Sequence, residues 1–202
     1  VKRGDGAANR ILEFLETEND IVEIENPIEK KAFENEVILD NVSFKYEDSN
    51  RLTLSNVSLK IKPGEKVCIS GFNGSGKSTL TKLLGGLYTS YEGMITFNSI
   101  PLKRIDLDSL RKEIGTLSSQ DEIFNANILE NINLGNNEIP FQKIIQTAKE
   151  IGLHQYINHL PDGYQTDLLA NGVNVPRSVR TKIILARILI FQPEILLLDN
   201  FM

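Results

Sequence analysis

The chain has 202 residues, of which 41% are hydrophobic and 24% charged, a composition typical of a globular domain with a substantial core. The net charge of −5 argues against a broad nucleic-acid-binding surface, so we expect no nucleic-acid partner. No apolar run reaches the ~18 residues of a membrane helix and no signal peptide is visible, so we expect a soluble, intracellular chain. The single cysteine, Cys68, excludes an intrachain disulfide and is expected to be buried in the core.

The first part of the chain is predicted to contain a short helix, a linker and strands. Residues 7–16 have the apolar spacing of an amphipathic helix, and the acidic segment that follows, up to residue 31, is interpreted as a linker. Alternating apolar residues predict strands over 37–46, where the alternation shifts once, and over 54–61. A β-run over 66–70 is predicted to be a third strand.

In the later part of the chain, predicted strands alternate with predicted helices. The predicted strands cover 94–97, 114–117 and 195–199, a helix starts at 109–111, residues 125–160 are mostly helical, and another helix covers 178–190.

One glycine-rich loop carries the most specific signal in the sequence. It reads Gly71-Phe72-Asn73-Gly74-Ser75-Gly76-Lys77-Ser78-Thr79 and follows the phosphate-binding pattern of Gly, four free positions and Gly-Lys-Ser. A β-run precedes it and a helix follows, so phosphates would meet unpaired N–H groups at a helix N-terminus. Glycines at these positions allow φ > 0 and close approach of the backbone to phosphate. The alternative is a glycine-rich turn without a ligand.

Individual residues of this loop suit the parts of a magnesium nucleotide. Lys77 would reach the β- and γ-phosphates, the Ser78 hydroxyl would bind Mg²⁺, and Thr79 would donate to a phosphate. A buried apolar strand ends in Asp199, whose carboxylate would hold the same ion directly or through water. The alternative for Asp199 is a residue that caps a turn.

Several phrases along the chain resemble the nucleotide-binding domain of ABC transporters, and more narrowly of the exporter class. Besides the loop, they are Val42-Ser43-Phe44-Lys45-Tyr46, Leu110-Arg111-Lys112-Glu113-Ile114-Gly115, the segment from Phe124-Asn125 to Glu130-Asn131-Ile132, Leu160-Pro161-Asp162-Gly163-Tyr164, Leu185-Ala186-Arg187 and Leu196-Leu197-Leu198-Asp199. Each phrase is weak alone, but their order and spacing together are specific.

The resemblance implies an α/β fold with a phosphate-loop NTPase core of the ABC-cassette type. It implies an antiparallel β subdomain, a helical subdomain at about 118–180, and a cassette over 32–202 that lacks its C-terminal part. Residues 1–31 would be a joining helix and acidic linker. It also implies that Tyr46 stacks on adenine; the alternative is a core tyrosine on the same strand face as Phe44.

The chain departs from the family pattern where the family has its signature Leu-Ser-Gly-Gly-Gln. The equivalent residues are Val175-Pro176-Arg177-Ser178-Val179, so both glycines are replaced. Pro176 lacks an N–H, and the new side chains occupy space where backbone approaches phosphate in the family. The alternative is that Arg177 supplies a positive charge to that phosphate.

Three further positions also differ from the family pattern. Asn200 occupies the position of the general-base glutamate, natural or engineered, and an amide can orient a water but cannot accept its proton. Ungapped alignment places Ser119 at the glutamine-loop position, with Gln120 one residue later, so both stay open. The family's glutamate before the signature is replaced by Ala170.

The resemblance therefore implies an ATP-Mg²⁺-binding domain of an exporter with weak or absent hydrolysis. The expected partners are a second nucleotide-binding domain, identical or different, and a transmembrane domain in the same full-length chain. The expected location is the cytoplasmic face of a membrane. One alternative is a regulatory nucleotide-binding subunit that never hydrolyses ATP. Another is a soluble cassette protein of DNA repair or translation, against which the joining helix argues.

Overall fold

The computed structural model describes residues 36–118 and 120–199. The predicted joining helix and linker, Ser119 and Asn200 lie outside the described residues. The strands are β1 (Val37–Phe44), β2 (Leu54–Ile61), β3 (Glu92–Phe97), β4 (Ile100–Pro101), β5 (Ile114–Leu117), β6 (Ala126–Asn127), β7 (Asp167–Leu168) and β8 (Ile195–Leu198). The α-helices are α1 (Lys77–Leu84), α2 (Leu107–Glu113), α3 (Ile128–Asn133), α4 (Phe141–Glu150), α5 (His154–Asn158) and α6 (Arg177–Leu189). Within these ranges, no helix has both the length and the apolar character needed to cross a membrane.

An antiparallel sheet in the order β2-β1-β3-β4 forms the first layer. The shift in alternation predicted for the first strand is a β-bulge, because the register of β1 with β2 changes after Leu39, close to Asn41 at φ 49°. The bulge lets Leu39 and Val42 both point into the core, where they are buried. Leu80 and Leu83 of α1 belong to the same hydrophobic cluster, so the sheet supports the helix that follows the glycine-rich loop.

A short parallel pair, β5 and β8, forms a second sheet. Gly115 of β5 is needed for its packing, because a Cβ there would lie 2.4 Å from Cγ2 of Ile188 and 2.7 Å from Cγ of Pro193. The backbone N–H of Asp199 donates to the carbonyl of Leu117 at 2.9 Å and extends the pair beyond β8. Asp199 is therefore held beside the carboxyl end of β5.

A second hydrophobic cluster lies between residues 123 and 190 and is formed largely by α3 to α6. Helix α3 begins with a capping box, in which the Asn127 side chain accepts from the N–H of Glu130 and the Glu130 carboxylate accepts from the N–H of Asn127. Asn131 is fully buried within this region and is bonded to backbone groups. The fold is thus the mixed α/β arrangement that the sequence predicts.

The predicted strand over 66–70 is wrong for the described part of the chain. These residues form no ladder there, and residues 62–75 are all exposed. Cys68, expected in the core, is exposed as well. It lines a cleft of about 990 Å³ together with Val67, Ile69 and the facing residues of β8. The physical reason is that a strand needs a hydrogen-bonding neighbour, and residues 66–70 face this cleft instead.

Candidate functional site

The glycine-rich loop owes its shape to two left-handed glycines. Gly74 has φ 81° and Gly76 has φ 89°, in the region that side-chain-bearing residues rarely adopt. A Cβ on Gly76 would also lie 2.7 Å from Cδ2 of Leu54 and 2.8 Å from the carbonyl oxygen of Thr53. Gly71 does not adopt a positive φ; its Cβ would meet Oγ of Ser75 at 2.8 Å, so its need is for space.

The loop ends at the first residue of α1, where Gly76 is the N-cap and no side chain caps the helix. No acidic residue lies in the first turn, so the positive end of the helix dipole is not neutralised by the helix's own side chains. The Lys77 ammonium folds back over the loop and donates to the carbonyls of Gly71 and Phe72, both at 2.9 Å. A backbone turn and a cation therefore surround the same concave surface, which suits an anion.

Tyr46 connects the first sheet to this loop. Its hydroxyl is 2.9 Å from Oγ1 of Thr79, and its ring packs edge-to-face against Phe44 at 5.0 Å and Tyr88 at 5.5 Å. The ring is half-buried and borders a cavity of about 380 Å³ beside the loop. This geometry is compatible with both interpretations of Tyr46. The ring packs with Phe44, as a core tyrosine would, and it also borders the cavity, as a ring that stacks on adenine would.

The smaller cavity brings together most of the residues that the sequence predicts to bind a nucleotide. It is lined by Tyr46, Thr53, Asn73, Gly74, Gly76, Lys77, Ser78 and Thr79. Gly71 and Ser75 do not line it; they shape the loop from behind, where Ser75 N–H donates to the carbonyl of Phe72 at 3.1 Å.

The two predicted magnesium ligands border different cavities. Ser78 lines the smaller cavity and Asp199 lines the larger cleft, while Lys77 lines both. Within residues 36–118 and 120–199, no group of three or more His, Cys, Asp or Glu side chains forms a metal site. One hydroxyl and one carboxylate suit Mg²⁺ when phosphate oxygens and waters supply the other ligands, so the donor set fits an ion that arrives with a nucleotide.

Gln120 lies in an exposed turn just after β5. Its N–H donates to Oγ of Ser118 at 3.0 Å, and the carboxylate of Asp121 accepts from the N–H of Ser118 at 2.6 Å. Because Leu117 is bonded to Asp199, this turn begins beside the predicted metal ligand. The choice between Gln120 and Ser119 for the glutamine-loop role stays a prediction.

The segment equivalent to the family signature forms the start of α6. Pro176 is the N-cap residue, and its carbonyl accepts from the N–H groups of Val179 and Arg180. Arg177 and Ser178 are exposed, whereas Val175 is buried beneath them. Two side chains therefore stand in solvent at the helix start, where the family has glycines.

A polar network that the sequence patterns did not reveal lies behind this helix. Arg187 of α6 donates from Nε to the carbonyl of Asn131 at 2.8 Å and from Nη2 to its Oδ1 at 3.1 Å. Nη1 donates to the carbonyl of Glu122 at 3.1 Å, and the guanidinium lies 4.6 Å from the centre of the Phe124 ring. Burial lowers the pKa of Arg187, while the Asp121 carboxylate acts in the opposite direction. Asn131 and Arg187 lie 56 positions apart, so no local sequence pattern predicts this network.

Comparison with known proteins assigns the chain and its fold to a family. The family model described as ABC transporter matches residues 54–202. The uncharacterized ABC transporter ATP-binding protein YfiB of Bacillus subtilis is 37% identical over 198 residues, covering 98% of this chain and 34% of that protein. The cyclolysin secretion/processing ATP-binding protein CyaB of Bordetella pertussis is 36% identical over 169 residues, covering 84% of this chain and 24% of that protein.

A solved structure of a bacterial Atm1-family ABC exporter with ATP bound superimposes with a TM-score of 0.89 at 27% identity, covering 99% of this chain and 35% of that one. The chain spans about a third of the length of YfiB and of this exporter. With a phosphate loop on the expected helix and a family match over most of its length, the chain belongs to the ABC transporter family, as an ATP-binding domain whose homologues are exporter ATP-binding proteins.

Proposed function

We propose that this domain binds Mg-ATP at the phosphate loop. The observation that carries the proposal is the start of α1, where left-handed Gly74 and Gly76 expose the helix N-terminus and Lys77 places its ammonium over the loop. Backbone N–H groups and a fixed cation around one concavity are what a polyphosphate requires.

Each residue around the cavity then has a role toward the nucleotide. Lys77 exchanges its loop carbonyls for the β- and γ-phosphates, and Thr79 donates to a phosphate. Tyr46 offers its ring to adenine from the rim of the cavity. Ser78 and Asp199 would hold a Mg²⁺ ion that arrives with the nucleotide, and the ion would supply positive charge against the phosphates.

We further propose that the domain works within an exporter, where two such domains associate around ATP and move attached membrane segments. Asn200 would orient a water without taking its proton, which lowers hydrolysis in the chain's own site by about 10²–10⁴. Pro176 and Arg177 weaken the site that α6 shares with the partner domain. Gln120, three residues after the Leu117 that is bonded to Asp199, is the candidate that senses the ion and the attacking water. Binding is therefore retained and turnover is slow.

The test is isothermal titration of Mg-ATP into the full natural polypeptide that contains this chain, with phosphate release measured in parallel. We expect Mg-dependent binding that Lys77→Ala abolishes. Lys82→Ala, on the last turn of the same helix, is the matched control and should bind as the unmodified protein does. Equal affinity for ATP in Lys77→Ala and Lys82→Ala would refute the proposed site.

The alternative function, a regulatory subunit that never hydrolyses ATP, is favoured by one observation, the proline at the N-cap of α6. Asn200→Glu distinguishes the two functions in part. Measurable turnover in Asn200→Glu means that a missing base limits an otherwise competent site. Continued absence of turnover, with ATP binding intact, supports the regulatory function.

A further inference from the structure

Arg187 joins α6 to residues 122–124, which form no helix or strand, and to Asn131 of α3. Its three donor atoms reach the backbone of Glu122 and both oxygen atoms of Asn131, and its guanidinium covers the exposed ring of Phe124. Three hydrogen bonds and a ring contact from one side chain fix both the distance and the orientation of the groups that it joins. This is more than filling a gap in the core requires.

Asn131 holds the same segment from the other side. It is fully buried, and its Oδ1 accepts from the N–H of Phe124 at 2.8 Å as well as from Arg187. Its Nδ2 donates to the carbonyls of Phe124, Ala126 and Asn127 at 3.0–3.2 Å. Residues 122–127 are therefore fastened to both α3 and α6 through one asparagine and one arginine.

These contacts form a continuous path between two parts of the proposed site. The N–H of Asp199 donates to the carbonyl of Leu117, Ser118 and Asp121 are bonded to each other, and the carbonyl of Glu122 accepts from Arg187. Arg187 lies on α6, whose first residue is Arg177 in the signature-equivalent segment. The described steps of this path are three hydrogen-bonded contacts, the chain links between them, and one continuous helix.

We propose that Arg187 is a positioning residue, which together with Asn131 sets the place of the 118–124 segment, and hence of Gln120, relative to α6. A displacement of the segment near Asp199 then moves the start of α6 as well, because Arg187 and Asn131 link the two. The effect on turnover rests on the proposed function, but the positional effect does not need a nucleotide.

The experiment measures this position directly in the full natural polypeptide. Spin labels are placed at Glu122→Cys and Ser178→Cys, both exposed, with Cys68 and any other native cysteine replaced. The distance distribution between the labels is recorded by pulsed electron resonance for Arg187, R187Q and R187K. The matched control is K182Q, because Lys182 is a half-buried cation on the same helix whose single bond, at 3.0 Å, goes to Gly152 and not to the 118–124 segment.

We expect one narrow distance with Arg187 and with K182Q, and a broader or divided distribution in R187Q. R187K keeps the charge but not the three-bond fork, so it should resemble R187Q. ATP-induced association of two domains should fall about 2- to 30-fold in both Arg187 variants, the range typical of coupling residues. The affinity for Mg-ATP before two domains associate should stay unchanged, because Arg187 lines neither of the two cavities beside the loop.

Unaltered distance distributions in R187Q and R187K would overturn the proposal and leave Arg187 with a purely structural role. A lower melting temperature with an unaltered distribution has the same meaning. If R187Q does not fold, R187K decides, since it retains the buried cation. If the unmodified protein binds no Mg-ATP, the proposed function fails, while the nucleotide-free distances still decide this inference.

Discussion

Replacing Gly76 by alanine should damage the phosphate loop far more than the same change at Gly74. Both glycines are left-handed, at φ 89° and 81°, so alanine costs about 1–2 kcal/mol of conformational energy at either site. Alanine also restricts the unfolded chain, which offsets about 0.4–1 kcal/mol. The expected net loss of unfolding free energy for Gly74→Ala is thus about 1 kcal/mol.

The two sites differ in the space around the added methyl group. In the part of the chain that the structure describes, no atom beyond the adjacent residues lies within 4 Å of a Cβ on Gly74. At Gly76 the nearest atoms are Cδ2 of Leu54 at 2.7 Å and the carbonyl oxygen of Thr53 at 2.8 Å. Leu54 is buried, and the Thr53 carbonyl cannot move without shifting the start of β2. Overpacking of this kind adds about 1–3 kcal/mol, so Gly76→Ala should lose about 2–4 kcal/mol in all.

Urea unfolding of the two variants, followed by circular dichroism, measures this difference. Their slopes against urea should agree, and the midpoint of Gly76→Ala should be clearly the lower. Gly71→Ala is a third reference, since its conflict is with the movable side chain of Ser75. Equal midpoints for Gly74→Ala and Gly76→Ala would show that the close approach of β2 to the loop is not a constraint in solution.

Three further predictions concern other parts of the fold. Tyr46→Phe keeps the ring contacts but loses the hydrogen bond to Thr79, so thermal unfolding should show an unfolding free energy lower by about 0.5–1.5 kcal/mol. Tyr46→Ala also removes the ring, so a titration should show ATP binding weaker by about 1–3 kcal/mol. Equal ATP affinity in both variants would exclude stacking. Gly115→Ala places a Cβ 2.4 Å from Ile188, so urea unfolding should show an unfolding free energy lower by about 1–3 kcal/mol. An unchanged urea midpoint would contradict the packing of α6 on β5. Burial raises the pKa of Tyr91 from 10.0 to about 12, so the neutral phenol stabilises the folded state fully below pH 10, and this stabilisation is lost as the pH rises from 10 to 12. Tyr91→Phe should make the unfolding free energy depend less on pH in this range. The same pH dependence in Tyr91→Phe and in the unmodified protein would contradict the shift.

Local patterns predicted the elements whose causes are local. The alternation of β2 and the apolar run of β5 gave the observed ranges of both strands, and the bulge in β1 appeared as a shift in alternation. The loop and the start of α1 follow from glycines and Gly-Lys-Ser at fixed spacing. These features depend on neighbours within a few residues.

Features that depend on distant neighbours were missed. The run at 66–70 has strand composition, but a strand exists only where another backbone pairs with it, and composition does not report that. Cys68 was placed in the core for the same reason. The bond between Asn131 and Arg187 joins residues 56 positions apart, and no periodicity in the sequence signals it. The close approach of Ser75 to Gly71 likewise becomes visible only once the backbone is folded.

The cleft beside residues 66–70 has a consequence for nucleotide affinity. The phosphate loop is braced on its α1 side, where Gly76 touches β2, but the extended residues that lead into it have no ladder in the described part of the chain. Binding a ligand to a loop costs free energy for any conformational freedom that the loop and its approach lose. Any backbone that pairs with residues 66–70 would hold the approach to the loop in place, and a loop held in this way loses less conformational freedom when an anion binds.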